Sequence, residues 1–312
     1  MTRSNEVPAG GPHGGDAVEV ATALGLDPNQ MVDLSASMNP FAPDVIGVLQ
    51  QILAASPTAL TRYPNPAAAT GSLGVAIGID PALLVLTNGG AEAIALVASE
   101  LGSGHVVEPE FSLYRRHLPS SNLTAPRWRS NPSSPLGILA APGEHAGVWD
   151  EAFYPLATGT WTRGDTDAWR LGSLTKLWSC PGLRLGYLIA PDPTSAERIR
   201  QRQPRWAVNG LALTSLPELL ERTDLAGWHT QLIALRSGFA AQLATLGYAV
   251  RETDANWLLV ERPGLRQQLA PLAVMVRDCT SFGLPDLHRV AVPNLQDLDR
   301  VLTAFAAVAN RP

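Results

Sequence analysis

The sequence predicts an α/β protein, and three stretches carry that expectation. An apolar strand, Leu83-Leu84-Val85-Leu86, runs through Thr87-Asn88-Gly89-Gly90 into a helix reaching about Leu101. A second apolar run, Leu185-Gly186-Tyr187-Leu188-Ile189-Ala190, reads as a buried strand directly after a lysine-bearing turn. Beyond Gly247, short strands alternate with helices to the chain's end, which reads as a second, smaller α/β unit. At 312 residues the chain exceeds one average domain, so one large or two intimately packed domains are expected, with ample core.

Composition narrows the class. Apolar residues make up 46% and charged residues 16%, as in a globular enzyme and unlike a disordered or fibrous chain. The net charge of −5 lacks the clustered Lys and Arg that a phosphate backbone requires, so no nucleic-acid partner is expected. The first residues hold no apolar leader and no run is long enough to span a membrane, which leads us to expect a soluble, cytoplasmic protein. Cys180 and Cys279 are too few for a disulfide framework or a zinc site and read as small buried apolar residues, so no metal is expected.

Taken in order, the chain opens on Gly11-Pro12-His13-Gly14-Gly15-Asp16, where glycines beside a histidine let backbone approach an anion closely. A short helix over 17–24 leads to the extended segment Asp33-Leu34-Ser35-Ala36-Ser37-Met38-Asn39-Pro40. Helical spacing follows over 45–53, then the proline-bound loop Arg62-Tyr63-Pro64-Asn65-Pro66 and a helix near 67–77. In the strand, Gly-Gly turn and helix at 83–101, the unpaired N–H groups of the first helical turn could hold a phosphate, although an ordinary βα turn explains the segment equally well. It is no Walker loop, and no GxGxxG fingerprint occurs.

A short strand at 105–107 precedes Glu108-Pro109-Glu110-Phe111-Ser112-Leu113-Tyr114, a loop entering a helix, where Phe111 could stack on a flat ring or pack in the core. Asn131-Pro132-Ser133-Ser134-Pro135-Leu136-Gly137 is a turn-rich loop, and Val148-Trp149-Asp150-Glu151 sets an acidic pair at a strand's end. Too few residues separate Gly137 from Asp150 for a full helix and a strand, so that crossover must be abbreviated. Helices are expected over 193–203, from Asn209 to about Arg222, over 231–246 and over 295–309, with Gly247 stopping the third. Strands over 248–251, 256–260, 274–277 and 289–292, with a helix around 265–272, complete the smaller unit.

The most informative stretch is Gly172-Ser173-Leu174-Thr175-Lys176-Leu177-Trp178-Ser179-Cys180-Pro181-Gly182-Leu183-Arg184. Its one lysine sits among hydroxyls and apolar residues, partly withdrawn from water, which favours the neutral amine that forms Schiff bases. Ser173 and Arg184 add a hydroxyl and a planar fork of donors, the groups a phosphate needs.

With these motifs in order, the chain resembles the fold-type I aminotransferases of class I and II along nearly its whole length. Within them, His13-Gly14-Gly15, Leu34-Ser35-Ala36-Ser37-Met38-Asn39-Pro40 and Val276-Arg277-Asp278-Cys279-Thr280-Ser281-Phe282-Gly283-Leu284-Pro285 are similar to the branch of threonine-phosphate decarboxylases and histidinol-phosphate aminotransferases. The resemblance implies the aspartate aminotransferase-like fold, a large domain with a mainly parallel sheet plus a smaller C-terminal α/β domain. Its expected boundaries are an N-terminal arm at 1–42, a pyridoxal 5'-phosphate-binding domain at 43–195 and the smaller domain at 196–312.

The resemblance also implies roles. Lys176 would hold pyridoxal phosphate, Asp150 would pair with the ring nitrogen and Phe111 would stack on the ring. Gly90, Ala91, Ser173 and Arg184 would hold its phosphate, and Tyr63 would reach the phosphate of the neighbouring subunit, requiring a homodimer. Arg289 would take the substrate carboxylate; His13, Gly14, Asn39 and Arg277 would face a substrate phosphate. The family usually carries asparagine at the position of Ser134, against the ring hydroxyl, and a hydroxyl residue at that of Ala91. The implied activity is decarboxylation of phosphothreonine to (R)-1-amino-2-propanol phosphate in cobalamin biosynthesis. Transamination of the histidinol-phosphate type, or cofactor binding with weak or no turnover, stand as alternatives.

Overall fold

The computed structural model describes residues 6–11 and 13–309; Pro12 of the first glycine run and the opening residues of the chain lie outside the described residues. The chain forms two compact units. The larger comprises Phe41–Ser134 and Leu139–His229; the smaller takes the described residues up to Pro40, the short insert Pro135–Ile138 and the chain from Thr230.

The larger unit is built on six strands: β1 (Leu84–Thr87), β2 (His105–Val106), β3 (Arg127–Ser130), β4 (Val148–Asp150), β5 (Trp169–Ser173) and β6 (Gly186–Ile189). They lie in the order β1-β6-β5-β4-β3-β2. Pairings from β5 through β4 and β3 to β2 are parallel, while β6 runs against both its neighbours. The mainly parallel α/β sheet of the expected fold is therefore present, with one reversed strand. Register aligns the carboxyl ends of four strands along one edge: Thr87 lies opposite Gly186, Gly186 opposite Ser173, and Ser130 opposite Asp150. In such sheets that edge is where ligands bind.

The helix Gly89–Leu101 holds the sheet from one side. Its apolar positions Ala93, Ile94, Val97 and Ala98 bury against Val85, Trp128, Val148, Trp169 and Leu188. β3 is a strand that the sequence did not announce, because Arg127-Trp128-Arg129-Ser130 alternates arginines with its inward residues; both arginines pair with Glu144, at 2.9 and 2.8 Å. Between β3 and β4 the chain forms no helix, so the abbreviated crossover is observed.

The expected boundary near residue 195 is corrected by 34 residues, since the large unit runs on to His229. The helix Pro193–Arg202 buries Ala196 and Ile199 in the large unit's core, its Arg198 reaches Glu100 at 2.6 Å, and the Gln203 amide donates to the carbonyl of Leu86 at 2.9 Å. The helix Gly210–Glu221 packs on the helices Val45–Ala55 and Ala67–Ile77. These contacts tie residues 193–229 to the larger unit, past the boundary that the resemblance implied.

In the smaller unit β7 (Ala249–Arg251), β8 (Trp257–Glu261), β9 (Arg277–Asp278) and β10 (Leu287–Ala291) form an antiparallel sheet in the order β9-β10-β8-β7. The expected strand over 274–277 is split: Val274–Met275 pairs in parallel with Val32–Asp33, and only Arg277–Asp278 joins the sheet. Phe239, Leu243, Leu258, Val260, Val290, Val301 and Phe305 form the core between this sheet and two helices. Those helices cover Leu225–Thr245, six residues longer at its start than expected, and Leu298–Ala309, three residues shorter.

Candidate active site

In the larger unit, β1 ends at Thr87 and the chain turns at Gly89 into the thirteen-residue helix. Gly89 adopts φ +75°, and a Cβ there would stand 2.3 Å from Arg184 Nη2. Only glycine admits the guanidinium so near the helix start. Gly186 is required for the same reason, since its Cβ would lie 2.8 Å from the nitrogen of Gly90. Arg184 itself has φ +57°, an uncommon conformation for a non-glycine residue, and donates to the carbonyls of Pro181 and Asn88 at 3.1 and 3.4 Å. Ser173 ends β5 beside Gly90, with its hydroxyl 2.8 Å from that of Thr175. Free helical N–H groups, two hydroxyls and a guanidinium thus converge, the donor set of an anion cradle.

Lys176 follows Ser173 on the single helical turn Leu174–Leu177 and is half-buried, its ammonium 5.8 Å from the centre of the Phe153 ring. Asp150, at the end of β4, is buried; Oδ2 accepts the Tyr114 hydroxyl at 2.8 Å and Oδ1 the Ala152 N–H at 3.1 Å. Burial raises the pKa of this carboxyl against the pull of those two donors. Phe111 is half-buried and meets Tyr114 edge-on at 5.9 Å. Ser134 is buried, its N–H donating to Ser130 Oγ at 2.7 Å. Tyr63 stands apart from this group, 78% exposed and stacked on Trp206 at 4.3 Å.

The smaller unit gathers a second set. Arg277 and Arg289 sit directly opposite each other on β9 and β10, 2% and 8% exposed, so both guanidinium groups leave the same sheet face. Arg289 donates to the carbonyl of Ser35 at 3.1 Å and lies 4.9 Å over the Trp257 ring. Burial lowers its pKa to about 10. Arg277 donates to the carbonyls of Gly11 and His13 at 2.6 and 3.0 Å and to Ser281 Oγ at 2.8 Å. Gly14 packs so closely on Ser35 that a Cβ would stand 2.4 Å from its carbonyl oxygen. Asn39 is buried on the same segment, which the Asn256 amide holds through the carbonyls of Ser37 and Met38, both at 2.9 Å.

The model of the aminotransferase class I and II family matches residues 131–305. This chain belongs to that family. Members of the class I and II aminotransferases are pyridoxal-phosphate enzymes, and this one is an enzyme of that kind. It is 29% identical to threonine-phosphate decarboxylase of Salmonella typhimurium over 354 aligned positions, covering 95% of this chain and 96% of that protein. It is 26% identical to a histidinol-phosphate aminotransferase of Haloarcula marismortui, covering 93% of each. The solved histidinol-phosphate aminotransferase of Clostridium acetobutylicum superposes with a TM-score of 0.78 at 20% identity, over 90% of this chain and all of that one.

The residues of the larger unit fit the cofactor of these aminotransferases. A phosphate matches the cradle at Gly89, Ser173 and Arg184, and a protonated ring nitrogen would supply a counter-charge that favours the ionised form of buried Asp150. Neither thiol suits nucleophilic work, because burial raises Cys180 to about 11 and also raises Cys279.

Tyr114, Thr175, Ser130 and Glu110 are site neighbours that motif reading did not single out. Tyr114 could have been found from its spacing, three residues after Phe111 at the start of a helix. The other three need the fold.

Proposed function

We propose that this protein decarboxylates a phosphorylated amino acid, O-phosphothreonine, to (R)-1-amino-2-propanol phosphate for cobalamin biosynthesis, as a cytoplasmic homodimer. The observation that carries this reading is the facing pair Arg277 and Arg289, two buried cations on one sheet face, which suits a substrate bearing two separate anions. The likeness to a threonine-phosphate decarboxylase along almost the whole of both chains supports the same choice.

Pyridoxal phosphate, when bound, supplies an electron sink for the pair left at the substrate's Cα. The chain's residues do the rest. Lys176 would hold the cofactor's aldehyde carbon and, once displaced by the substrate's amine, would exchange a proton at Cα. Asp150, fixed by Tyr114 and Ala152, keeps the ring nitrogen protonated. Phe111 covers a ring face and Ser134 offers its hydroxyl to the ring's own. The backbone of Gly90 and Ala91, with Ser173 and Arg184, holds the cofactor phosphate, and exposed Tyr63 reaches that of a second copy. Arg289 takes the substrate carboxylate, while Arg277, with His13, Gly14 and Asn39, takes its phosphate.

How these arginines pose the substrate decides which bond breaks. If they present the Cα–carboxylate bond for cleavage, carbon dioxide would depart and Lys176 would return a proton to Cα. If they present the Cα–hydrogen bond instead, Lys176 would remove that proton and the outcome would be transamination, the second reading, favoured by the histidinol-phosphate aminotransferase relative. Incubating the holoprotein with O-phosphothreonine distinguishes them. We expect carbon dioxide in step with amine product; accumulation of pyridoxamine phosphate alone contradicts decarboxylation.

A further inference from the structure

Glu110 takes no part in the roles assigned above, yet it is an acid only 5% exposed among them. Its Oε1 accepts the Ser130 N–H at 3.0 Å, and its Oε2 accepts the Ser130 hydroxyl and, at 3.3 Å, the Phe111 N–H. The same Ser130 oxygen accepts the Ser134 N–H at 2.7 Å. One carboxyl is therefore joined to the backbone of Phe111 on one side and, through a single hydroxyl, to that of Ser134 on the other. We propose that Glu110 is a positioning residue that clamps the Phe111 loop to the Ser134 loop and so fixes the width of the slot for the cofactor ring. This rests on the pyridoxal-phosphate reading of the site.

The clamp has a charge requirement. Asp150 faces Glu110 from the end of β4, Tyr114 from the following helix and Arg129 from β3, while Glu108 accepts the Glu110 N–H at 2.7 Å. Tyr114 is already committed to Asp150, and Arg129 pairs with Glu144 at 2.8 Å. Burial first, with Asp150 adding to it, raises Glu110 to about 8. At neutral pH it is thus an uncharged acid, its own proton shared with the Ser130 hydroxyl at Oε2, leaving Asp150 to pair alone with the ring. Above that pH a second anion appears beside Asp150 in a water-poor site, and the slot's hold on the cofactor should loosen.

The test is cofactor affinity of wild type and Glu110→Gln, titrated by visible absorption from about pH 6.5 to about pH 9, a range spanning the raised carboxyl. We expect the wild-type dissociation constant to rise by about tenfold across this range, and that of the uncharged glutamine variant to stay flat. Ser130→Ala, which cuts the clamp at its middle, should weaken affinity severalfold at neutral pH and keep the pH step. A flat wild type, a pH step that survives in Glu110→Gln, or unchanged affinity in Ser130→Ala overturns the proposal. Absence of any cofactor absorption in every protein is a different failure, that of the underlying reading. In the apoprotein, the infrared carbonyl band of a protonated acid at neutral pH, lost in Glu110→Gln, checks the charge state without cofactor or turnover.

Discussion

Arg184 shows how far single side chains are fixed for a task. It occupies a left-handed conformation beside Gly89, where its planar fork meets the start of a helix. A charge-assisted hydrogen bond contributes about 1.5–3 kcal/mol, so Arg184→Ala should weaken pyridoxal-phosphate affinity by about 10- to 100-fold in equilibrium titration. Asp150→Asn keeps the shape and removes the charge; turnover should fall by about 10²–10³-fold, with cofactor absorption retained. On the substrate side, Arg289→Ala should cost about 2–5 kcal/mol of phospho-amino-acid binding, read as a raised KM or, in a dead-end titration, a raised Kd. Lys176, Asp150 and Arg184 stand out in the sequence because motif order singles them out. Glu110 does not, since a glutamate in a loop reads as solvated until the fold encloses it.

At the scale of elements, the turn between β1 and the helix Gly89–Leu101 shows best what spacing conveys. Sequence placed the strand, the glycines and the helix, but left phosphate cradle and ordinary turn level, because the deciding partner, Arg184, lies 95 residues further along the chain. Gly89→Ala puts a Cβ against that guanidinium at a positive φ, costing roughly 1–2 kcal/mol in backbone strain alone. We expect a Tm lowered by a few degrees together with weaker cofactor binding; an unaltered affinity would detach the glycine from the cradle. β3 escaped sequence reading for a related reason: its charged positions are satisfied by Glu144, a partner no local pattern reveals. The helix Leu225–Thr245 began earlier than expected because its first turn packs in the larger unit, outside the periodic stripe that marked its remainder.

Over the whole molecule, the two-unit α/β organisation was legible and its second boundary was not. Helices over 193–221 bury their apolar faces in the larger unit, a tertiary choice that composition does not encode. Buried acids give the molecule a characteristic response to pH. Glu110 and Glu151 are raised by burial to about 8 and about 7 from an ordinary 4.5. The folded state therefore binds more protons than the unfolded chain in this window, and stability falls as pH rises through it, by up to about 1.4 kcal/mol per pH unit for each such group. Between about pH 7.5, above the range of ordinary histidines, and about pH 8.5, the urea midpoint of the apoprotein should drop, and Glu110→Gln should flatten part of that fall.

The account rests on Lys176 as the cofactor's point of attachment. Reducing the holoprotein with borohydride and mapping the labelled peptide tests this directly. We predict one pyridoxyl group, carried by Lys176, and no label in Lys176→Ala. Lys176 is the chain's single lysine; a reduced holoprotein in which it stays unlabelled, or a protein that stays colourless with added cofactor, would contradict the account.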